Sequence, residues 1–416
     1  MATERRHVEV WADWLTPPAI LGVLGAGTSR GHDVFSFEFD RASLESPELD
    51  ALDPDLQLVG GPQYVRGRKP NFGLFLDSSP DRWGRVLMNR REAQLAREEK
   101  RPERKLRELD YLLGVYDGHR MGALRFRVGG GPFLDDNREL ASPPWTSLRE
   151  LEHASLSLER DGAERNPEYG AWLRMLMAPG RSLGGARPKA SVVDPTGALW
   201  IAKFPSREDT NDVGAWESVL HVLARNAAIT TADFDRKKLG SKKHTFLSKR
   251  FDRIAGRRVH FASAMTLLGR ADDDDAPASY LDLAETIARY GAHPARDLEQ
   301  LWRRIVFNVC VSNVDDHLRN HGFLLEPTGW SLAPAYDMNP VGHGDGLALN
   351  ISSTDNAQDL ALVREVAAQF RVKAARAEAI IHEVLVAVRG WNAEATRIKI
   401  PREDREQMAN AFRLAR

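Results

Sequence analysis

The alternation of apolar and polar positions divides the chain into a strand-rich beginning and a helix-rich end. Residues 7–40 place apolar side chains at roughly every second position in HVEVWADW and DVFSFEFD, with Gly22, Gly25 and Gly27 between them. A period of two is that of half-buried strands separated by turns. A polar stretch (SLESPELDALDPDL) then leads into FGLFLDSSPDRWGRVLMNRREAQLAREE. There Asp77, Ser78 or Ser79 is placed to cap a helix with Pro80 in its first turn and Trp83, Val86 and Leu87 on one face. Residues 105–128 give a short helix, a turn and a strand, and the Gly- and Pro-rich run 129–145 marks a linker. Two helices are predicted over 147–177. A hairpin follows, Lys189–Asp194 with Ala198–Phe204, turning at Pro195-Thr196-Gly197. After it come a helix (NDVGAWESVLHVLARNAA) and a strand (HTFLSKRFDR). Beyond about 260 the pattern is mostly helical, most regularly where Leu298, Leu301, Trp302, Ile305, Val306, Val309 and Cys310 recur at helical spacing. A second hairpin, Gly322–Leu325 with Trp330–Ala333, turns at Glu326-Pro-Thr-Gly329.

This order predicts an α+β fold in three parts: an N-terminal α+β subdomain over 1–140, a small β-rich lobe over 141–255, and a mostly helical lobe over 256–416. Two lobes with a cleft between them are a common setting for a ligand. Composition narrows the functions. With 58 Lys+Arg against 59 Asp+Glu, the net charge of −1 supplies no global basic field for nucleic acid. The lone Cys310 forms no internal disulfide, and no stretch reaches the ~20 apolar residues of a membrane helix. Nothing at the N-terminus resembles the apolar core of a signal peptide. A cytoplasmic protein with no membrane association is expected.

The candidate chemistry begins at Ser182-Leu-Gly184-Gly185-Ala-Arg-Pro-Lys189. Adjacent glycines before a strand either make a turn or let backbone N–H groups approach a phosphate. The GK[ST] ending of a P-loop is absent. In the second strand of the hairpin Lys203 shares a face with Leu199 and Ile201, so its ammonium must snorkel, pair or meet an anion. Glu217 follows in a helix whose Trp216, Leu220 and Leu223 face inward. A strand lysine held by a helix glutamate is the arrangement of protein kinases. Asp315 and Asn320, in SNVDDHLRNHGF, have the D-x-x-x-x-N spacing of a kinase catalytic loop, where the carboxylate accepts the hydroxyl proton and the amide oxygen helps hold magnesium. Asp337, in PAYDMN after the second hairpin, is either a second oxygen ligand for that hard cation or a turn residue. A different class of function stands beside this one. His317 and His321 form H-x-x-x-H, which on a helix puts two imidazoles on one face for zinc, with Asp315, Asp316 and Asp337 to complete a metal-dependent hydrolase. The glutamate of H-E-x-x-H is missing from it, Leu318 standing in that place. His317 otherwise orients its loop, and the acidic run Asp272–Asp275 reads as solvated.

The stretches FGLFLDSSPDRWGRVLMNRR, GALRF, SLGGARPK, WIAKFP, AWESVLHVLA, SKRFDR, NVDDHLRNHGFLL and LAPAYDMNP together resemble the HipA family of serine/threonine kinases, the toxin half of bacterial toxin–antitoxin pairs linked to persistence. The resemblance implies a two-lobed protein-kinase-like fold and transfer of the γ-phosphoryl of ATP, with Mg²⁺, to a protein hydroxyl. Asp315 would be the catalytic base, Asn320 and Asp337 the magnesium ligands, and Lys203 the phosphate-contacting lysine. Ser182, Gly184 and Gly185 would form the nucleotide loop, and Lys249–Phe251 would border the adenine, with Glu217 and His317 completing the nucleotide site. Ser182 falls where family members carry an autophosphorylated serine whose modification inactivates the enzyme. The implied partners are a protein substrate such as an aminoacyl-tRNA synthetase and a small helix-turn-helix HipB-like antitoxin, through which DNA is reached only indirectly. The chain departs from some members in Arg187-Pro188 and in Asp316. A kinase-like antitoxin-binding module without catalysis is the remaining class.

Overall fold

The structure, a computed structural model, describes residues 6–29, 31–46, 49, 51–134, 142–177, 187–272, 274 and 277–415. The chain forms two compact units between which the backbone passes three times: residues 1–207 with 252–271, and 208–251 with 272–416.

The first unit opens with strands β1 (Arg6–Ala12), β2 (Ala19–Ser29) and β3 (His32–Phe39), which alternate as their side chains require. With β4 (Gln63–Tyr64) and β5 (Leu124–Val128) they make an antiparallel sheet in the order β4-β3-β2-β1-β5. The sheet buries Val8, Val10, Leu24, Phe37 and Phe126. Against that face sits α1 (Gly73–Leu76), whose Phe75 meets Phe37 and Phe126 with ring centroids 5.5 and 6.1 Å away. Asp53 fixes α1 by accepting the Leu74 N–H at 2.8 Å. Helix α2 (Arg82–Glu98) starts later than the sequence predicts. Its cap is Asp81, whose Oδ1 accepts the Gly84 N–H at 2.7 Å, so Pro80 lies ahead of the helix. Asp77 is occupied elsewhere, taking the N–H and hydroxyl of Ser263 at 2.7 Å each. Trp83 and Leu87 are buried as expected, while Val86 faces solvent and Met88 takes its place inside. Helices α3 (Glu108–Leu113), α4 (Leu148–Leu158) and α5 (Tyr169–Met177) follow, then the expected hairpin as β6 (Lys189–Val193) and β7 (Leu199–Lys203).

The second unit takes the chain at 208 with α6 (Val213–Asn226), β8 (Phe234–Lys238) and β9 (His244–Lys249). Asp212 caps α6 and accepts both the backbone N–H of His244, at 2.9 Å, and its Nδ1, at 2.6 Å, which ties the helix start to β9. The chain returns to the first unit for the short pair β10 (Arg253–Ile254) and β11 (Arg257–Arg258), for β12 (Phe261–Ser263) and for α7 (Ala264–Leu267). There α7 packs on α1 so closely that a Cβ at Gly73 would stand 2.8 Å from the Thr266 hydroxyl. The remainder belongs to the second unit: α8 (Tyr280–Tyr290), α9 (Pro294–Val311), the hairpin β13 (Gly322–Glu326) and β14 (Gly329–Leu332), then α10 (Leu360–Glu365), α11 (Ala374–Arg389), α12 (Trp391–Arg397) and α13 (Arg402–Met408). Helix α9 is the axis of this unit. Pro294 begins it, its apolar positions are buried, and α8 and α11 pack along it. No helix among the described residues is long and apolar enough to cross a membrane.

Candidate active site

The loop after α9 is built from its first residue onward. Ser312 ends the helix in the left-handed region, φ +50°, with its N–H on the Asn308 carbonyl. Its hydroxyl lies 2.8 Å from Gln358 Oε1 and 2.9 Å from the Ala411 carbonyl, both of the same unit. Asn313 follows, buried. Its Nδ2 donates to Asn308 Oδ1 at 3.1 Å, and its Oδ1 accepts the Asn339 N–H at 3.2 Å. One amide thus joins the end of α9 to the segment that carries Asp337. Sequence reasoning passed over Asn313. The signal that could have found it is Asn308, a polar residue on the buried face of an apolar helix.

Asp315 and Asp316 are neighbours with opposite surroundings. Asp315 is exposed and Asp316 is buried. Asp316 Oδ2 accepts from the Tyr280 hydroxyl at 2.5 Å, from Asn308 Nδ2 at 2.8 Å and from His321 Nε2 at 2.8 Å. Burial alone would raise this carboxyl. The charge of His321 and the hydrogen bonds from His321 and Tyr280 outweigh it, so the carboxyl is held below the usual range. Burial and the adjacent carboxylate push the Tyr280 phenol well above its ordinary value. A cavity of about 10 Å³ lies behind the loop, bordered by Arg304, Asn308, Asp316, Asn320, His321 and Tyr336. It is about the size of one water.

His317 precedes a single 3₁₀ turn, Leu318–Asn320, which the Asn320 N–H closes on the His317 carbonyl at 2.8 Å. Asn320 Nδ2 donates to the Asp315 carbonyl at 3.0 Å, so the D-x-x-x-x-N spacing is a hydrogen-bonded loop. With its N–H₂ on a backbone carbonyl, Asn320 leaves its amide oxygen out of that bond. Asp337 is half-buried and takes a left-handed conformation, φ +58°, which Asp and Asn tolerate better than most residues. The preceding Tyr336 donates its hydroxyl to the Arg319 carbonyl at 2.7 Å, bracing the residue before Asn320 against the residue before Asp337. Phe251 meets Tyr336 with ring centroids 5.6 Å apart. Lys249 donates its backbone N–H to the Asp233 carbonyl at 2.7 Å, and its ammonium reaches Asp233 Oδ2 at 4.0 Å. Glu217 is buried on α6.

The second unit therefore carries Glu217, Lys249, Phe251, Asp315, His317, Asn320 and Asp337. Lys203 belongs to the first unit, half-buried at the end of β7. Ser182, Gly184 and Gly185 lie outside the described residues. The oxygen-only pair of Asn320 and Asp337 fits a hard cation such as Mg²⁺. The two-histidine zinc reading is corrected. His317 and His321 flank a 3₁₀ turn instead of sharing a helix face, and the Nε2 of His321 is spent on Asp316. Among the described residues, no group of three or more His, Cys, Asp and Glu is arranged to hold a metal. Asp272, read as solvated, is exposed but takes Arg319 in a two-pronged pair at 2.8 Å.

A family model described as the HipA-like C-terminal domain matches residues 181–391. Among solved structures, the chain is similar to HipA of Shewanella oneidensis MR-1, in a complex of the toxin–antitoxin proteins HipA and HipB with operator DNA. That likeness covers 98% of this chain and 95% of the other, with a TM-score of 0.68 and 17% identity, and shows the fold. The Helicobacter pylori proinflammatory kinase CtkA matches over 55% of this chain and 94% of its own, with a TM-score of 0.34 and 12% identity. Comparison with curated protein sequences gives no match.

Proposed function

The chain belongs to the HipA family, and from that membership we propose that it is a serine/threonine protein kinase, transferring the γ-phosphoryl of MgATP to a protein hydroxyl. The observation that carries this reading is the loop 315–320. An exposed carboxylate stands at its start, and an asparagine at its end is turned by a hydrogen bond to the backbone of that same aspartate.

Asp315 accepts the proton of the attacking hydroxyl, and its exposure leaves it open to a macromolecular substrate. Asn320 and Asp337 supply oxygen to magnesium, which when bound offsets charge on the phosphates. Lys203 contacts the phosphates, with Glu217 as its partner on α6. The backbone of Lys249–Phe251 borders the adenine, and the Phe251 and Tyr336 rings are an apolar pair of the same unit. His317 holds the loop beside the nucleotide. Ser182, with Gly184 and Gly185, belongs to the nucleotide loop and is the site of inactivating autophosphorylation. The protein acts in the cytoplasm as a toxin on the translation machinery, an aminoacyl-tRNA synthetase being a substrate of the right kind. It is restrained by a HipB-like helix-turn-helix antitoxin, which brings it to DNA, and the Shewanella HipA was solved together with HipB and operator DNA. Residues 1–140, 141–255 and 256–416 are the accessory subdomain, small lobe and large lobe of this plan.

Incubation with labelled MgATP and a cell lysate tests the reading, with phosphosites mapped by mass spectrometry. Phosphate is expected on Ser182 and on one target, and Asp315→Asn should lower transfer by about 10²–10⁴-fold. Near-normal transfer by that variant removes Asp315 from the role. Nucleotide binding without transfer by the unsubstituted chain would make it a non-catalytic module.

A further inference from the structure

The segment Pro80-Asp81-Arg82-Trp83-Gly84 carries no part in the kinase reading, yet its aspartate is bonded through both carboxylate oxygens. Asp81 Oδ1 caps α2 through the Gly84 N–H at 2.7 Å. The chain just before it is pinned by Asp77 on Ser263 and by the Ser78 carbonyl, which accepts from Arg120 at 2.7 Å. A carboxylate so fixed is pre-organised. Its other oxygen, Oδ2, meets the ammonium of Lys189 at 2.9 Å, with side chains only 4% and 3% exposed.

Lys189 is the first residue of β6, and the hairpin register sets it directly opposite Lys203. Residues directly opposite in an antiparallel pair project from the same face with Cβ atoms about 4.5–5.5 Å apart, and like charges there repel. A hairpin with two ammonium groups side by side therefore needs a counter-charge, and Asp81 supplies one from 108 positions away.

We propose that Asp81 is a positioning residue for phosphoryl transfer: its buried carboxylate holds Lys189 and offsets its charge, so that Lys203 is correctly placed for the phosphates. The proposal rests on the reading of Lys203 as the phosphate-contacting lysine. Loss of the Asp81 charge would leave the positive charge of Lys189 less offset beside Lys203, lowering the pH at which Lys203 releases its proton.

The test uses the full chain and two independent readouts. Acetic anhydride labelling across a pH series, read by mass spectrometry, gives the reactivity of each lysine without any nucleotide. In Asp81→Asn, Lys189 should acylate about ten-fold faster and the half-reaction pH of Lys203 should fall by about one unit. Asp81→Glu should recover most of both effects. In Asp81→Asn/Lys189→Met, with the opposing cation gone, the Lys203 shift should vanish. The second readout is turnover, where Asp81→Asn should raise the KM for MgATP about ten-fold more than it lowers kcat. An unchanged Lys203 half-reaction pH in folded Asp81→Asn, or a shift that survives in the double variant, overturns the proposal and leaves a structural ion pair. Where Asp81→Asn does not fold, Lys189→Met decides: an unpaired carboxylate beside Lys203 should raise its half-reaction pH, and no change overturns the proposal. A chain that consumes no MgATP refutes the kinase reading, while the labelling still decides the coupling of Asp81 to Lys203.

Discussion

Replacing Asp316 by alanine removes the one oxygen on which the Tyr280 hydroxyl, the Asn308 amide and the His321 imidazole converge. A buried donor left without an acceptor costs about 1–3 kcal/mol, so three of them bound the loss at about 3–9 kcal/mol. Because the three share one network their costs do not add, and loss of one partner of a buried charge pair costs about 3–5 kcal/mol. A destabilisation of about 4–6 kcal/mol follows for Asp316→Ala. Asp316→Asn keeps one carbonyl oxygen, which takes two donors at most and makes neutral instead of charge-assisted bonds, so about 2–3 kcal/mol is expected. Asp315→Asn, on an exposed residue, should stay within about 0.5 kcal/mol. Urea unfolding at pH 7 of the three variants, with unchanged m-values, measures all three. The sign of the pH dependence is fixed as well. The Asp316 carboxyl is held below the usual range in the fold, so its contribution is present above the unfolded value near 4 and is lost as pH falls through the lower folded value. The gap between the unsubstituted chain and Asp316→Asn should therefore narrow only below about pH 4. An Asp316→Ala protein within 1 kcal/mol of the parent would refute the reasoning, because no arrangement that loses three buried acceptor contacts is that cheap.

Two further predictions concern buried groups. Burial pushes the Asp53 carboxyl up to about 6, against hydrogen bonds from Leu74 and Asp55 and the charge of Lys69. The folded state then takes up a proton between roughly pH 4 and 6, and stability from this group rises by about 3 kcal/mol as pH falls through that window. Urea unfolding at pH 7.5 and 5.0 should show about half of that gain, ~1.4 kcal/mol, relative to Asp53→Asn, and parallel pH profiles would contradict it. Burial also pushes the Cys310 thiol up to about 12, so iodoacetamide at pH 8 should label it about 10³-fold more slowly in the native chain than in urea. Fast native labelling would place Cys310 outside the core.

Much of the architecture is legible because single residues declare it. The buried face of α9 repeats at helical spacing, and both hairpins turn at short segments containing Gly and Pro, so period and punctuation suffice for those elements. Strand β8 was not legible. Its FDRKK has no apolar alternation, and it is a strand because β9 pairs with it from Phe234↔Ser248 to Lys238↔His244, a tertiary effect that overrides local propensity. The start of α2 was misplaced for a related reason. Four polar residues in a row, Asp77, Ser78, Ser79 and Asp81 around Pro80, all suit a cap. Only the distant demand of Ser263 on Asp77 leaves Asp81 to do it. In the candidate site the residue types and their spacing were readable, and the division of labour between adjacent aspartates was not.

That division bears directly on what the loop can do. Asp315 and Asp316 carry the same charge and differ by one position, yet one is offered to solvent and the other is spent on three buried donors. The buried member fixes the loop, and on the kinase reading the exposed member is the one that meets the attacking hydroxyl. Asn320 is oriented through its nitrogen by a backbone carbonyl, and the residue before Asp337 is braced by a hydroxyl on another carbonyl, so the bonds that place these two positions come from the Asn320 nitrogen and the Tyr336 hydroxyl. On the kinase reading, a loop fixed this way would need little reorganisation to receive nucleotide and metal, which is the condition under which positioned charges accelerate a transfer. Asp316→Asn should accordingly lower kcat by about ten-fold while leaving Asp315 in place, with the loss growing on warming as the weakened loop opens. If phosphoryl transfer by folded Asp316→Asn matched the parent at every temperature, the bracing network would be a feature of stability alone.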